Sequence, residues 1–250
     1  MRTSFFVNEL KILLDAGHQC YNKVQTIFIT HTHADHIASL PLIILENVST
    51  KLHTNIYCPK ESVIFLSRMI DSFLMCNYHN TYTPKQLYRF IGVEPGDKID
   101  LRLNNKNIKV EVFQSVHRIS TVSYGFIECV KKLKGEYIGL DTTELIATKK
   151  MGIDIQYVKE VKKFVFCGDT TCEIFNDKNL LSYPEILIEC TYFDLQDYDM
   201  SKAKKHMHWN DLKEIINDNT NVNFNIIHIS IKHKELIFKD LIDATNVNIM

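Results

Sequence analysis

Apolar residues in this chain come in short runs that stop on side chains able to bind a metal ion. Residues 24–29 read Val-Gln-Thr-Ile-Phe-Ile, end at Thr30 and lead into His31. Residues 110–116 lead to His117, residues 164–168 to Asp169, and residues 224–227 to His228. Such runs, bounded by turn-forming residues, are the mark of buried strands. Strand material is also expected over 5–15, 56–59 and 107–113, the last with Ile108, Val110 and Val112 alternating against Lys109 and Glu111. Between them, 37–47 and 61–76 carry apolar residues at helical spacing. In the second helix Val63, Ile64, Leu66, Ile70, Phe73 and Leu74 form the expected buried stripe. Gly17 is placed to permit a turn, and 92–97 is a second turn. Strands alternating with helices over 250 residues, with no linker or repeat, predict one α/β layered domain.

Four potential ligands stand within six residues: His31, His33, Asp35 and His36. Imidazoles and a carboxylate at this density suit zinc or a similar divalent ion. In an extended segment His31 and His33 point the same way. After a turn, Asp35 and His36 can face a second ion. Asp15, at another strand end, either supports the cluster from behind or is a simple turn carboxylate. His117, Asp169 and His228 arrive on strand ends, where a rigid sheet can converge side chains from distant sequence. Two adjacent ions make a clamp for displacement at phosphorus or for polarising a carbonyl.

Composition narrows the partners. The apolar fraction of 45% and charged fraction of 24% are those of an ordinary globule, and the net charge of −1 gives no global basic field for a nucleic acid. Seven cysteines, without a C-x-x-C pair, fit a reducing compartment such as the cytoplasm or nucleus. No signal peptide is expected at the N-terminus, and no apolar stretch is long enough to span a membrane. Asn47-Val48-Ser49 is a formal glycosylation sequon expected to be silent.

The order His-x-His-x-Asp-His, a lone His, Gly-Asp-Thr and a final His after an apolar strand resembles the metallo-β-lactamase superfamily. Thr30-His31-Thr32-His33-Ala34-Asp35-His36, with Leu40-Pro41 beyond it, is most similar to the ribonuclease Z branch. Ile188-Glu189-Cys190-Thr191-Tyr192 resembles that branch's Glu-Ala-Thr-Phe segment, and Ala203-Lys204-Lys205-His206-Met207-His208 its segment ending in Gly-His-Ser-Thr. Ile227-His228-Ile229-Ser230-Ile231-Lys232 resembles its His-Phe-Ser-x-Arg segment, with Lys232 where Arg is usual. The spacing over 133–140 resembles the short, plant-like form. The likeness covers about residues 10–235.

The resemblance implies a four-layer αββα sandwich with two divalent ions, zinc foremost, at one edge. It implies that His31, His33 and His117 hold one ion, that Asp35, His36 and His228 hold the other, and that Asp169 bridges them. A water shared between the ions is the implied nucleophile, oriented by Asp35. His208, paired with Glu189, is expected to protonate the leaving 3′-oxygen, with His206 as the competitor for that role. The implied activity is removal of the 3′ trailer of precursor tRNA, by a homodimer. Residues 128–163 are expected to form an inserted arm; they hold eight lysines and six acids, and Lys131, Lys132 and Lys134 are the expected phosphate contacts. The same scaffold also admits a small-molecule hydrolase, such as a cyclic-nucleotide phosphodiesterase or thioesterase, or a decayed RNA-binding member. The Glu189 and His208 pair speaks against a thioesterase, because a thiolate leaves without needing a proton.

Overall fold

A computed structural model describes residues 2–78, 87–230 and 246–249. Among them, β1 (Phe5–Val7), β2 (Ile12–Leu14), β3 (Thr26–Phe28), β4 (Thr54–Pro59) and β5 (Tyr88–Val93) lie side by side in that order as one sheet. Only β1 runs antiparallel to its neighbour. The second sheet has seven strands. It joins an antiparallel meander, β6 (Lys98–Leu103), β7 (Lys106–Gln114), β8 (Val122–Leu133) and β9 (Gln156–Phe166), to the parallel strands β10 (Glu185–Glu189), β11 (Asn223–Ile227) and β12 (Val247–Ile249).

The apolar runs are continuous because most of these strands are covered on both faces. Along β2 and β3, Ile12, Leu14 and Phe28 face a central core that also takes Val110, Tyr124, Phe126 and Phe166 from the second sheet. Leu13 and Ile27, of opposite parity, face helices α2 (Leu40–Ser49) and α3 (Val63–Tyr78). On the far side, Val165, Ile186, Ile188, Phe224 and Ile226 pack against Trp209, Leu212 and Ile216 of α6 (Trp209–Asp218). The result is the expected αββα sandwich.

The elements differ from the sequence reading in three places. Residues 5–15 form two short strands rather than one, because Lys11 takes a left-handed turn (φ 55) between them. The helix expected over 37–47 is α1 (Ala34–Ile37) followed by α2, with Pro41 seated in the first turn of α2. In α3 Leu66, Ile70 and Leu74 are buried, but Ile64 is about half exposed. Asn47 is buried and donates to the Val24 carbonyl at 2.8 Å and the Thr54 hydroxyl at 2.9 Å, so the sequon's amide is not exposed. All seven cysteines are free thiols. No helix among the described residues is long and apolar enough to cross a membrane. Lys232 lies outside the described residues.

Candidate metal centre

The cluster is built on a buried carboxylate. Asp15 follows β2 in a left-handed conformation (φ 54) and is fully buried. Its carboxylate accepts from the Thr30 amide at 2.8 Å, from the Thr30 hydroxyl at 2.9 Å and from His36 Nδ1 at 2.7 Å. Because the Thr30 hydroxyl donates to Asp15, it accepts from His31 Nδ1 at 3.1 Å. Asp15 therefore supports the cluster from behind and is more than a turn residue. Gly17 serves by size rather than by a left-handed backbone. A Cβ there would lie 1.8 Å from the Asp35 carbonyl oxygen, so only glycine lets the 34–37 turn pack against this loop. Gly168 is held the same way, since a Cβ would meet the Thr30 Cβ at 2.5 Å.

The ring nitrogens not used for support converge. His31 Nε2 and His117 Nε2 each lie 3.1 Å from His33 Nδ1. His117 Nδ1 donates to the Lys205 carbonyl at 2.8 Å, so its Nε2, like that of His31, presents a lone pair inward. His33 Nδ1 faces both of them. Their spacing is close to that of nitrogens ~2.0–2.1 Å from a common ion. With Asp169 they form one group of potential ligands; Asp35, His36 and His228 form a second, and Asp169, His206 and His228 a third; in each, all ligand atoms lie within 4.8 Å. His228 follows β11 in a left-handed conformation (φ 56), a costly backbone state of the kind that clusters at functional sites. Asp169 lies between the groups: Oδ2 is 3.6 Å from His31 Nε2 and 3.9 Å from His117 Nε2, and Oδ1 is 3.3 Å from His36 Nε2. His36 Nε2 and Asp169 Oδ1 are buried without a hydrogen-bond partner. They face each other at 3.3 Å as an ion pair while His36 is protonated, and once that proton is lost the same two atoms can take a cation between them. The seven residues expected as ligands are thus brought together.

Protonation follows the same logic. Burial pushes His31 well below the ordinary histidine value, with the neighbouring imidazoles adding to it, and pushes His117 down to about 4. Burial also lowers His33, with the Arg118 charge adding to it. His36 is the exception: burial opposes its proton, but Asp15 outweighs that and raises it to about 10. Asp169 is held well below the carboxylate range, because the surrounding imidazoles, His36 first, overcome its burial.

The expected pair of Glu189 with His208 is not formed. Glu189 Oε1 is bonded to His206 Nδ1 at 2.8 Å, and His206 Nδ1 is also 3.7 Å from Asp169 Oδ2. The His206 ring stacks on His228 at 5.7 Å and stands edge-on to His117 at 4.9 Å, between ligands of both groups. Burial alone would lower His206, but Glu189 more than offsets this and its value is raised. His208 is fully buried instead. Its Nδ1 caps α6 by accepting from the Asn210 amide at 3.1 Å, and its Nε2 donates to the Asp194 carbonyl at 3.0 Å. Lys205 causes the swap: it ends α5 (Tyr198–Lys204) in a left-handed conformation (φ 55) and turns His206 toward the ligands. Glu189 also carries a contact that sequence reading missed. Its Oε2 accepts from the Thr191 hydroxyl at 2.5 Å, and that hydroxyl accepts from His228 Nδ1 at 3.0 Å. Thr191 thus does for His228 what Thr30 does for His31.

Residues 128–163 form an extension of β8 and β9 with α4 (Thr142–Lys150) between them. Helix α4 begins with a capping box, Asp141 with Glu144, and buries no side chain. Lys131 and Lys132 are exposed and, as neighbours on a strand, point to opposite faces. The Lys134 ammonium donates to the Asp154 carbonyl at 2.6 Å. The extension also exposes Ile138, Ile146, Met151, Tyr157 and Val158.

This fold and donor set define a metallo-β-lactamase-fold protein with a cluster of His and Asp side chains able to hold divalent metal. The chain belongs to the family described as Anti-Pycsar protein Apyc1, whose model matches residues 8–221. It is similar to tRNase Z TRZ1 of Arabidopsis thaliana, 26% identical over 97% of this chain and 86% of that protein. Among solved structures, the metallo-β-lactamase fold protein YhfI from Bacillus subtilis matches with a TM-score of 0.60 at 14% identity, over 99% of this chain and 87% of that one. The short form of human tRNase Z matches with a TM-score of 0.58 at 16% identity, over 99% and 88%. The likeness to ribonuclease Z proteins seen in the motifs thus extends along nearly the whole chain.

Proposed function

We propose that this chain is a metal-dependent phosphodiesterase of the ribonuclease Z type that removes the 3′ trailer of precursor tRNA. His31, His33 and His117 would hold one ion, Asp35, His36 and His228 the other, with Asp169 shared; zinc suits these donors. Bound there, two such ions supply charge neutralisation at phosphorus and an acidified water. Asp35 would accept a hydrogen bond from the attacking water. His206 takes over the role expected of His208. Its Nδ1–H is held by Glu189, leaving Nε2 to give a proton to the departing 3′-oxygen. That pair carries the reading, because an alkoxide needs a proton on leaving and a thiolate does not. Homodimerisation and a reducing compartment complete the proposal. Loss of phosphodiester hydrolysis on chelation and its return with zinc test the metal requirement; hydrolysis undiminished by a chelator contradicts it.

Two observations favour a second reading, hydrolysis of a small phosphodiester such as a cyclic nucleotide. The matching family is not named for RNA processing, and the surface of the 128–163 extension is apolar as much as basic. The site chemistry is common to both readings.

A further inference from the structure

Tyr192 stands beside the proposed proton donor and belongs neither to the candidate ligands nor to the core. Its ring centroid lies 6.1 Å from that of His206, and the two planes are inclined at 66°. The phenol therefore does not lie flat over the imidazole. His206 in turn stands 4.9 Å from His117 and 5.7 Å from His228, ring to ring. Burial falls off in the same direction. The His117 side chain has no exposed surface, that of His206 is 11% exposed, and Tyr192 is less deeply buried than His206. The phenol is thus the next ring outward from the ligand cluster on the side where His206 stands.

The backbone fixes this placement. The Tyr192 amide donates to the Met207 carbonyl at 3.3 Å, and the Tyr192 carbonyl accepts from the Trp209 amide at 2.9 Å, so Tyr192 is paired with the segment that carries His206. Thr191, just before it, is tied by its hydroxyl to Glu189 and His228. Phe193, just after it, is buried and stacks on Trp209 with centroids 5.6 Å apart. Tyr192 itself is in none of the three apolar clusters formed by the described residues. An aromatic ring that is held rigidly beside a candidate site, and that the core does not use, has surface to offer a ligand.

We propose that Tyr192 is the platform on which the base of the departing nucleoside stacks. The inference rests on the phosphodiesterase reading with His206 as proton donor, and adds how the leaving group is recognised. As the bond from phosphorus to the 3′-oxygen breaks, that oxygen takes the proton of His206 Nε2. The base of the same nucleoside is one sugar ring away from that oxygen, and Tyr192 is the ring next to the imidazole. A phenol meets the π-face that every base has and reads no hydrogen-bond pattern, so it favours a nucleoside leaving group without selecting a sequence.

A pair of phosphodiesters tests it. In one, 2-aminopurine riboside is joined through its 3′-oxygen to the phosphate of uridine 5′-phosphate. In the other, hydrogen replaces the 2-aminopurine. Each has a single phosphodiester, and release of uridine 5′-phosphate reports its cleavage. The wild-type chain should show a KM about tenfold lower for the compound that carries the base. Tyr192→Leu should bring that ratio close to one, while Tyr192→Phe should retain it. A ratio near one in the wild-type chain, or a preference that survives Tyr192→Leu, overturns the platform. Loss of the preference in Tyr192→Phe as well points to the hydroxyl instead of stacking and also overturns it. A chain that hydrolyses neither compound contradicts the phosphodiesterase reading instead. The fluorescence of 2-aminopurine, which falls on stacking, then decides the platform with the metal-free protein. Quenching by the wild-type chain and by Tyr192→Phe that is lost in Tyr192→Leu supports it. No quenching by the wild-type chain, or quenching that Tyr192→Leu leaves unchanged, overturns it.

Discussion

His206 Nδ1 lies 2.8 Å from Glu189 Oε1, and the other oxygen of that carboxylate is bonded through the Thr191 hydroxyl to His228 Nδ1. One buried carboxylate therefore orients both the proposed proton donor and a proposed metal ligand. His206→Ala should lower turnover of an RNA substrate by about 10²–10⁴-fold. Hydrolysis of an ester with a p-nitrophenolate leaving group, which needs little help from an acid, should fall far less. Equal losses on both substrates would remove His206 from the proton-donor role.

His208→Ala should behave differently. It deletes a buried ring and the cap of α6, so it should cost about 2–4 kcal/mol of stability in a denaturant titration. The surviving folded fraction should retain its relative activity on RNA and on p-nitrophenyl esters. A selective loss on RNA would return His208 to the mechanism.

The two threonine relays should act on different ions. Thr191→Val keeps the shape but breaks the link from His228 to Glu189, and Thr30→Val breaks the link from His31 to Asp15. Each should weaken metal retention by about 10–100-fold, measured by competition with a chromophoric chelator. Two ions lost one at a time, a different one in each variant, is the expected pattern. Unaltered affinity in both would show that the relays do not tune the site.

Gly17→Ala places a methyl group against the Asp35 carbonyl, a backbone atom that cannot swing away. The expected cost is about 3 kcal/mol or more, with loss of metal at the Asp35 group before loss of the fold. Normal stability with a full metal complement would contradict this packing.

Charge reversal of Lys131, Lys132 and Lys134 tests the arm. Binding of precursor tRNA should weaken and its salt dependence flatten, while hydrolysis of a p-nitrophenyl ester should stay as it was. Loss on both substrates would point to a structural role, in keeping with the hydrogen bond of Lys134 to Asp154.

Among the candidate ligands, His33, Asp35 and His36 were legible from their density beside His31. The other four, His31, His117, Asp169 and His228, were legible in sequence because each follows an apolar run, and a run that must be buried fixes where its last residue can stand. The layers were legible for the same reason. What the sequence did not reveal depends on contacts between distant segments. His206 and His208 are two residues apart and carry the same ring; only the left-handed turn at Lys205 and the helix start at Trp209 separate the inward one from the cap. Thr191 and Lys205 reach partners 37 and 88 residues away. The small-residue requirement at Gly17 appears only when the Asp35 turn is folded over it. A local signal did exist for His208: the polar-to-apolar step at Trp209, Leu212 and Ile216 marks a helix whose N-cap is residue 208.

The central claim is tested most directly by incubating the zinc-loaded protein with a precursor tRNA carrying a 3′ trailer and mapping the product ends. The expected result is a single cut that leaves a 3′-hydroxyl on the tRNA, abolished by a chelator and by His206→Ala. Intact precursor under conditions where the same preparation hydrolyses a small phosphodiester would contradict the RNA-processing account and leave the small-substrate reading of the same site.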